Sequence, residues 1–220
     1  MDAADKSRLR VVPGLGLDDR SWRPTLRALS LPTSSVVTLP GFGEPALGAD
    51  LSPPVLARLL LARLRPATSS VVLVGHSSSC QVVAHAARIQ PEVVGGLVLV
   101  GPTTDPRAAS WPRLAARWLA TAVHEKPTQV PLLAAQYRLI GLRDMWRAMD
   151  QARRDRIGAT LAHVRCPVLV IRGPHDRICP EDWARSLSTL AVTLPGGGHM
   201  VPWTHGPATA ATITRFVTAS

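Results

Sequence analysis

With 220 residues, the chain is long enough for one well-packed domain and too short to divide comfortably into two independent ones. Hydrophobic residues make up 46% and charged residues 18%, a balance that excludes a disordered or fibrous protein. The formal net charge is +10, and only two of the 25 basic residues, Lys6 and Lys126, are lysines. This arginine excess indicates either an anionic partner or a GC-rich genome.

The amino terminus and the cysteines bear on the location of the protein. The stretch Met1–Arg10 is polar and lacks the apolar core of a secretory signal, and apolar stretches such as Leu59–Ala62 are interrupted by arginines. We therefore expect a cytoplasmic protein that does not enter a membrane. Cys80, Cys166 and Cys179 are odd in number and too widely spaced for a metal site, so reduced core thiols are the favoured interpretation. Cys80 as a nucleophile is the weaker alternative.

Short β-branched apolar runs alternate with segments of helical spacing. The runs are typical of buried parallel strands: Leu9–Val12, Val36–Leu39, Val71–Val74, Leu97–Val100, Val168–Ile171 and Ala191–Leu194. The helical segments between them include Ser21–Leu29, Pro54–Leu64, Ser78–Ile89 and Glu181–Leu187. Strands that alternate with helices predict an α/β fold, with a mostly parallel sheet of about six strands and helices on both faces.

The interval from Thr103 to His163 breaks this alternation. It contains no strand-like run, and its apolar residues follow helical spacing around Trp111–Leu119 and Leu132–Ile140. Because an interval of about 60 residues is too long for a plain loop, we expect a helical cap insertion over residues 103–163, between core segments 1–102 and 164–220. Its expected place is above the carboxyl ends of the strands, where open α/β sheets bind ligands.

A serine follows the third predicted strand at a sharp turn. After Val71–Val74 the chain continues into an apolar helix through Gly75, His76, Ser77, Ser78 and Ser79. A strained strand–turn–helix elbow needs small residues two positions before and after the serine at its apex, and these are Gly75 and Ser79. An ordinary serine at a helix N-cap is the alternative interpretation.

An acid and a histidine follow in the order that this architecture requires. A serine hydroxyl needs a base to remove its proton, and the base needs a third group to orient it. Asp176 follows the strand Val168–Ile171, and His199 lies in a glycine-rich loop after Ala191–Leu194. Taken singly, Asp176 could be an ordinary turn residue and His199 an ordinary surface histidine. Three matches in order, each beyond a strand end, favour an active site.

On these residues the chain resembles the α/β-hydrolase superfamily, in particular its small, often bacterial, esterase-like members with a helical cap. The resemblance covers nearly the whole chain and implies a minimal version of that fold. It also implies that Ser77 is the nucleophile, that His199 is the general base and then acid, and that Asp176 holds the imidazole. Some relatives carry the acid where this chain has Asp105; we favour Asp176 because its strand–loop context matches.

The resemblance gives a role to the loop after the first strand. The family commonly has a His-Gly pair there, and this chain has Pro13 and Gly14 instead. The oxyanion donors are backbone amides, so the function survives this change, and the N–H groups of Leu15 and Ser78 form the predicted oxyanion hole. Gly14 and Gly16 as simple turn glycines are compatible with this prediction.

Further side chains are candidates for the walls of a substrate pocket. They are His76, Trp22, Trp111, Tyr137, Trp146 and Met200, with Phe42, Trp118 and Trp203 as further aromatic candidates. Core packing explains most of them equally well. No cluster of acids indicates a metal, and we expect no cofactor.

The leading hypothesis is a serine hydrolase of a carboxylic ester or thioester of a small, partly apolar substrate, acting through an acyl-enzyme. The same three residues could serve a lyase, a cyclase, an acyltransferase or a carbon–carbon bond hydrolase in small-molecule biosynthesis, because this fold hosts many chemistries. A non-catalytic binding protein is the least favoured alternative.

The positive charge is concentrated in the expected cap. Residues 105–165 carry +6 of the +10. No RNA-binding or zinc-finger signature accompanies it, so we expect no nucleic-acid partner. A scattered, solvated surface is the simpler interpretation, and the sharper hypothesis is that cap arginines steer an anionic or carrier-bound substrate. These arginines are Arg113, Arg117, Arg138, Arg143 and Arg147.

Overall fold

A computed structural model of the protein describes residues 1–64 and 70–219. In chain order its elements are α1 (Ala3–Arg8), β1 (Leu9–Val12), α2 (Arg23–Leu29), β2 (Leu39–Pro40), β3 (Gly43–Glu44), α3 (Pro53–Arg63), β4 (Val71–His76), α4 (Ser79–Ile89), β5 (Val94–Val100), α5 (Trp111–Ala122), α6 (Val130–Ile140), α7 (Leu142–Arg154), α8 (Ile157–Leu161), β6 (Val168–Arg172), α9 (Glu181–Leu187), β7 (Leu190–Thr193), α10 (Val201–Thr204) and α11 (Gly206–Ala219). Five strands form one parallel sheet in the order β1-β4-β5-β6-β7. The predicted α/β fold with a mostly parallel sheet is confirmed.

The central strands are apolar at nearly every position because helices cover both faces of the sheet. In β4 all six residues are buried, and successive side chains point to opposite faces. Val71 and Leu73 pack with α3, α4 and α9 on one face. Val72 and Val74 pack with α2 and α11 on the other. This two-sided burial explains why the sequence shows continuous apolar runs rather than alternation.

Prolines in the first turn mark the beginning of several helices. Pro24, Pro53, Pro112 and Pro131 lie at the first or second position of α2, α3, α5 and α6. A proline there loses no intrahelical hydrogen bond, and its fixed φ suits the helix.

Within the described residues, no helix has the length and hydropathy that a membrane crossing requires.

The sequence predicts about six strands, and the main sheet has five. The predicted strand that does not join this sheet is residues 36–39. Val36 makes only an isolated parallel bridge with Val11, and Val37 N–H donates to Val11 O at 2.8 Å. The chain then turns away, because Pro40 has no N–H to donate and Gly41 adopts φ +81°. Residues 39–40 pair instead with β3 in a separate two-stranded sheet.

Residues 103–163, here called the inserted segment, contain helices and turns and, over this fully described interval, no strand. The carboxyl end of α7 is fixed to the central helix α4. Gln81 Nε2 donates to Ala152 O at 2.8 Å, and His85 Nε2 lies 2.7 Å from Asp155 Oδ1. The inserted segment thus leaves the sheet after β5 and is bound to the core again before β6.

The core assignment leads to a stability prediction. Leu97 lies in β5 with none of its surface exposed, so Leu97→Ala leaves a cavity and should lower the free energy of unfolding by about 2–5 kcal/mol. Urea denaturation followed by circular dichroism measures this loss. Leu142→Ala is the matched control, because Leu142 is 84% exposed and its truncation should change stability by no more than about 0.5 kcal/mol. Equal losses in both variants would contradict the packing.

Candidate active site

Ser77 lies at the apex of the turn between β4 and α4. Its φ is +58°, in the left-handed region that a residue with a side chain rarely adopts. Gly75 makes this turn possible, because a Cβ there would lie 2.9 Å from Val83 Cγ2 and 3.0 Å from the backbone N of Cys80. The strained backbone points the Ser77 side chain away from the helix, as an elbow does.

Ser79 occupies the position after the turn where the elbow needs a small residue. Its hydroxyl accepts a hydrogen bond from His76 N–H at 2.8 Å. The same hydroxyl lies 2.9 Å from the carbonyl oxygens of Val12 and His76, so its single proton is donated to one of them. Ser79 therefore ties the elbow to the end of β1, which a glycine could not do.

The structure brings Ser77, His199 and Asp176 into one hydrogen-bonded chain. His199 Nε2 lies 2.9 Å from Ser77 Oγ, and His199 Nδ1 lies 2.8 Å from Asp176 Oδ2. A carboxylate accepts only, so Nδ1–H donates to Asp176, and Nε2 is left to accept the proton of the serine hydroxyl. This arrangement can remove a proton from Ser77 as its oxygen attacks a carbon.

Burial and the partner charge together set the protonation of this pair. Burial opposes the charged form of Asp176, but the imidazole of His199 and the N–H of Cys179 outweigh it, so the pKa of Asp176 is lowered. Asp176 Oδ1 accepts from the N–H groups of Ile178 and Cys179, each at 3.0 Å. Burial also disfavours protonated His199, but the negative charges of Asp176 and Glu125 raise the pKa of His199 overall.

Asp105, the alternative acid, is engaged elsewhere. Its carboxylate accepts from the backbone N–H and guanidinium of Arg107 and from Arg117 Nη1 at 2.7 Å. Burial alone would raise the pKa of Asp105, but these arginines lower it. The structure therefore places Asp176, and not Asp105, next to His199.

The loop after β1 carries the first of the two predicted oxyanion donors. Gly16 N–H donates to Gly41 O at 2.7 Å and Leu17 N–H to Gly14 O at 3.0 Å, which fixes the loop. Among the described residues, Leu15 N–H and Ser78 N–H have no acceptor within the protein. Ser78 precedes α4, where helix N–H groups and the helix dipole favour a negative charge. Both amides are thus available to an oxygen atom bound beside Ser77.

A cavity of about 500 Å³ lies between the elbow and the inserted segment, within the usual size of a small-molecule site. Five of the predicted pocket residues line it: His76, Trp111, Trp118, Tyr137 and Met200. The remaining predicted ones do not. Trp22 is fully buried in the core, edge-on to His76, and Trp146 is 56% exposed and stacked on Trp111. Phe42 and Trp203 lie outside the lining as well. The structure does not bring these side chains to the cavity, because the direction in which an aromatic side chain points cannot be inferred from its sequence position alone.

Several lining residues were not predicted as pocket residues. They are Leu17, Thr103, Thr104, Leu114, Ala115, Leu119, Met145, Met149, Ala152 and Arg153. The helical spacing of Trp111, Leu114 and Trp118 was visible, but spacing alone does not tell a cavity wall from a packed core. Leu15 and Ser78, predicted as backbone donors, also line the cavity.

His76 supports the His199 loop from below. Its Nε2–H donates to His199 O at 3.0 Å. Burial, together with the nearby His199, lowers the pKa of His76 to about 3, so its ring is neutral. A neutral His76 holds the loop without adding a positive charge, which would disfavour the protonated form of His199.

The cysteines do not offer a second nucleophile. Cys80 and Cys179 are fully buried free thiols and Cys166 is partly buried. Burial raises the pKa of the thiols of Cys80 and Cys179, which keeps them protonated. In the described part of the chain, no three His, Cys, Asp or Glu side chains converge as metal ligands would.

With this geometry established, the comparisons with known proteins define the class. The sequence matches the family model of the alpha/beta hydrolases over residues 11–212, and the chain belongs to the alpha/beta hydrolase family. No curated protein matches the sequence. The match includes the elbow at Ser77 and the loops that carry Asp176 and His199, and it places the chain in a family of enzymes.

Solved structures share the fold at low sequence identity. A hydrolase from Oleispira antarctica is 13% identical with a TM-score of 0.76, over 96% of this chain and 91% of that chain. An enol-lactonase from Burkholderia xenovorans is 19% identical with a TM-score of 0.66, over 96% and 90%. A thermophilic esterase from Thermogutta terrifontis is 19% identical with a TM-score of 0.64, over 96% and 89%. At these identities the likeness establishes the fold.

The contact between two loops of the site leads to a prediction. A Cβ at Gly173 would lie 2.3 Å from Gly198 O and 2.4 Å from Gly197 O. Gly173→Ala should therefore push the His199 loop away from Ser77 and lower kcat by about 100-fold, the cost of a displacement near 1 Å. Steady-state kinetics on an aryl ester measures the loss.

Gly158→Ala is the control for this substitution. Gly158 lies in α8, and the nearest atom to a Cβ there is Leu187 Cδ2 at an ordinary 3.8 Å. This variant should keep full activity. Unchanged kcat in Gly173→Ala would show that the two loops tolerate separation.

Proposed function

We propose that the protein is a serine hydrolase that cleaves a carboxylic ester or thioester of a small, partly apolar substrate through an acyl-enzyme. The observation that carries the proposal is the hydrogen-bonded chain from Ser77 through His199 to Asp176. It lies beside two free backbone N–H groups at one end of an apolar cavity. Nucleophile, base, orienting acid and oxyanion donors are the parts that acyl transfer requires.

In the first half of the reaction, Ser77 Oγ attacks the carbonyl carbon while its proton passes to His199 Nε2. The carbonyl oxygen becomes an oxyanion and accepts from the N–H groups of Leu15 and Ser78. Removing one such donor typically costs roughly 2.7–4 kcal/mol of transition-state stabilisation. Asp176 keeps Nδ1 protonated and stabilises the imidazolium. His199 then gives its proton to the leaving oxygen or sulfur, and Ser77 remains acylated.

In the second half, a water molecule replaces the departed alcohol or thiol. His199 Nε2 takes a proton from the water as its oxygen attacks the acyl carbon. The second tetrahedral intermediate collapses when His199 returns that proton to Ser77 Oγ. The acid product leaves, and the enzyme regains its starting state without a cofactor.

The lining of the cavity supports an apolar group on the substrate. Trp111, Leu114, Trp118, Tyr137 and Met149 present rings and aliphatic chains to it. Methionine adapts its shape to irregular ligands. Arg153 is the charged exception, and its guanidinium lies 5.0 Å over the Trp111 ring while it pairs with Asp150. The bound group is therefore expected to be neutral and partly aromatic or aliphatic.

The charge of the inserted segment supports a second, separable element of the proposal. Of its five named arginines, Arg117 and Arg147 pair with Asp105 and Asp144. The remaining three are exposed at the surface: Arg113, Arg138 and Arg143. Exposed cations on the segment that also forms a wall of the cavity attract an anionic or carrier-bound substrate over roughly a Debye length, about 10 Å at 0.1 M salt.

The proposed nucleophile can be tested directly. Ser77→Ala removes the oxygen that is proposed to be acylated, so ester turnover should fall by at least about 1000-fold, to what binding and the oxyanion hole supply alone. Covalent labelling by a fluorophosphonate should disappear as well. Mass spectrometry of labelled peptides and turnover of aryl esters measure both effects.

Ser78→Ala is the matched control for Ser77→Ala. It removes a neighbouring hydroxyl but keeps the backbone N–H that the oxyanion needs, so labelling should persist at Ser77.

Release of acid and alcohol in equal amounts would separate hydrolysis from lyase or transferase chemistry. Full turnover in Ser77→Ala would refute the mechanism.

Electrostatic steering gives a separate prediction. For an anionic ester, kcat/KM should fall as ionic strength rises, because salt screens the exposed arginines. Arg143→Glu should weaken this dependence. A neutral ester with the same acyl group is the control and should show no dependence. Identical salt profiles for the two esters would assign these arginines to a solvated surface without a steering role.

A further inference from the structure

Two side chains, one in the last turn of α5 and one just after this helix, accept hydrogen bonds from the loops that carry Asp176 and His199. Thr121 Oγ1 accepts from the N–H of Arg177, the residue after Asp176, at 3.0 Å. Four positions further on, Glu125 Oε1 accepts from the N–H of His199 at 2.5 Å and of Met200 at 3.0 Å. The inserted segment is therefore hydrogen-bonded to both loops, in addition to forming a wall of the cavity.

The Glu125 carboxylate is itself held in place. Its Oε2 accepts from Gln129 Nε2 at 2.7 Å, and Gln129 is 1% exposed. The backbone of the His199 loop approaches so closely that a Cβ at Gly198 would lie 2.6 Å from Glu125 Oε1. A side chain at position 198 would therefore force the Glu125 carboxylate to shift away from the His199 loop. The carboxylate thus lies in direct contact with the backbone of that loop.

Charged and neutral side chains from several elements surround His199. Asp176 lies at its Nδ1 side, and Arg172 beneath Asp176 donates to Asp176 O at 3.1 Å. Neutral His76 lies with its ring centre 5.1 Å away, and the Trp118 ring lies 6.0 Å away. Glu125 is the second negative charge: burial lowers the pKa of His199, and Asp176 and then Glu125 raise it.

We propose that Glu125 is a positioning residue for the reaction at Ser77: from the inserted segment its carboxylate fixes the His199 backbone, and its negative charge favours the imidazolium that forms when Ser77 loses its proton. This inference rests on the proposed serine hydrolase function. It gives the inserted segment a part in proton transfer that is distinct from substrate binding.

Two substitutions separate the hydrogen bonds from the charge. Glu125→Gln keeps an oxygen that accepts from His199 and Met200 but removes the negative charge. Its new amide can be accommodated, because Gln129 Oε1 is buried without a partner and an amide flip of Gln129 turns this acceptor toward it. Glu125→Ala removes both the hydrogen bonds and the charge, and it leaves two backbone N–H groups beside the site without their acceptor.

The pKa of His199 and the pH dependence of the reaction provide the readout. His199 acts as a base only when neutral, so the acidic limb of kcat/KM reports its pKa. A nearby negative charge raises that pKa; both variants should therefore move the acidic limb to lower pH. At high pH, Glu125→Gln should keep kcat/KM within about 3-fold of the unmodified protein, whereas Glu125→Ala should lose about 10-fold or more because His199 is no longer aligned.

Glu92→Gln is the matched control, since it removes one negative charge from an exposed residue before β5, at the amino end of the strands. It should leave the pH profile unchanged. NMR titration of the His199 imidazole measures its pKa independently of any substrate, and thermal denaturation shows whether each variant is folded.

The outcomes distinguish this inference from the proposed function. If the imidazole pKa and the acidic limb are the same in Glu125→Gln as in the unmodified protein, the charge has no part and the proposal is overturned. If Glu125→Ala, while folded, keeps full kcat/KM at high pH, the positioning role is refuted. Loss of fluorophosphonate labelling in Ser77→Ala, measured in parallel, tests the hydrolase proposal separately, and the NMR result stands whatever the substrate.

Discussion

The candidate active site depends on the hydrogen bond from His199 to Asp176. Both side chains are almost wholly buried, where an unpaired carboxylate would be very costly. Asp176 is stabilised by two backbone N–H groups at one oxygen and by the imidazole at the other. Because the carboxylate can only accept, it fixes the proton on Nδ1 and leaves Nε2 facing Ser77. The tautomer and the ring orientation of His199 therefore follow from this contact.

That contact exists because of the parallel sheet. Ser77, Asp176 and His199 follow β4, β6 and β7, and parallel strands end at the same edge. Ser77 and His199 are 122 positions apart in the chain, yet their side chains are within hydrogen-bond distance. The strands themselves are fixed by two apolar cores, one on each face. A buried sheet thus holds the loops rigidly enough for a geometry that tolerates little displacement.

The inserted segment has two structural roles. Its inner residues form an apolar wall over Ser77, while Thr121 in the last turn of α5 and Glu125 just after this helix are hydrogen-bonded to the two loops from β6 and β7. Movement of α5 would therefore alter the cavity and the His199 backbone together. The arginines of the segment also fall into two groups. Some pair with buried or partly buried acids, and others remain exposed at the surface.

The sequence by itself determined the class of fold and proposed the residues of the site. Continuous β-branched runs predicted the parallel strands, and the order of Ser77, Asp176 and His199 placed each residue after a strand. Such local signals are strong because they depend on neighbours within a few positions. Only the tertiary structure decided which acid contacts the histidine, that Trp22 is packed in the core rather than at the cavity, and that Glu125 contacts the His199 loop. These features depend on side-chain directions and on long-range contacts, which spacing along the chain does not specify.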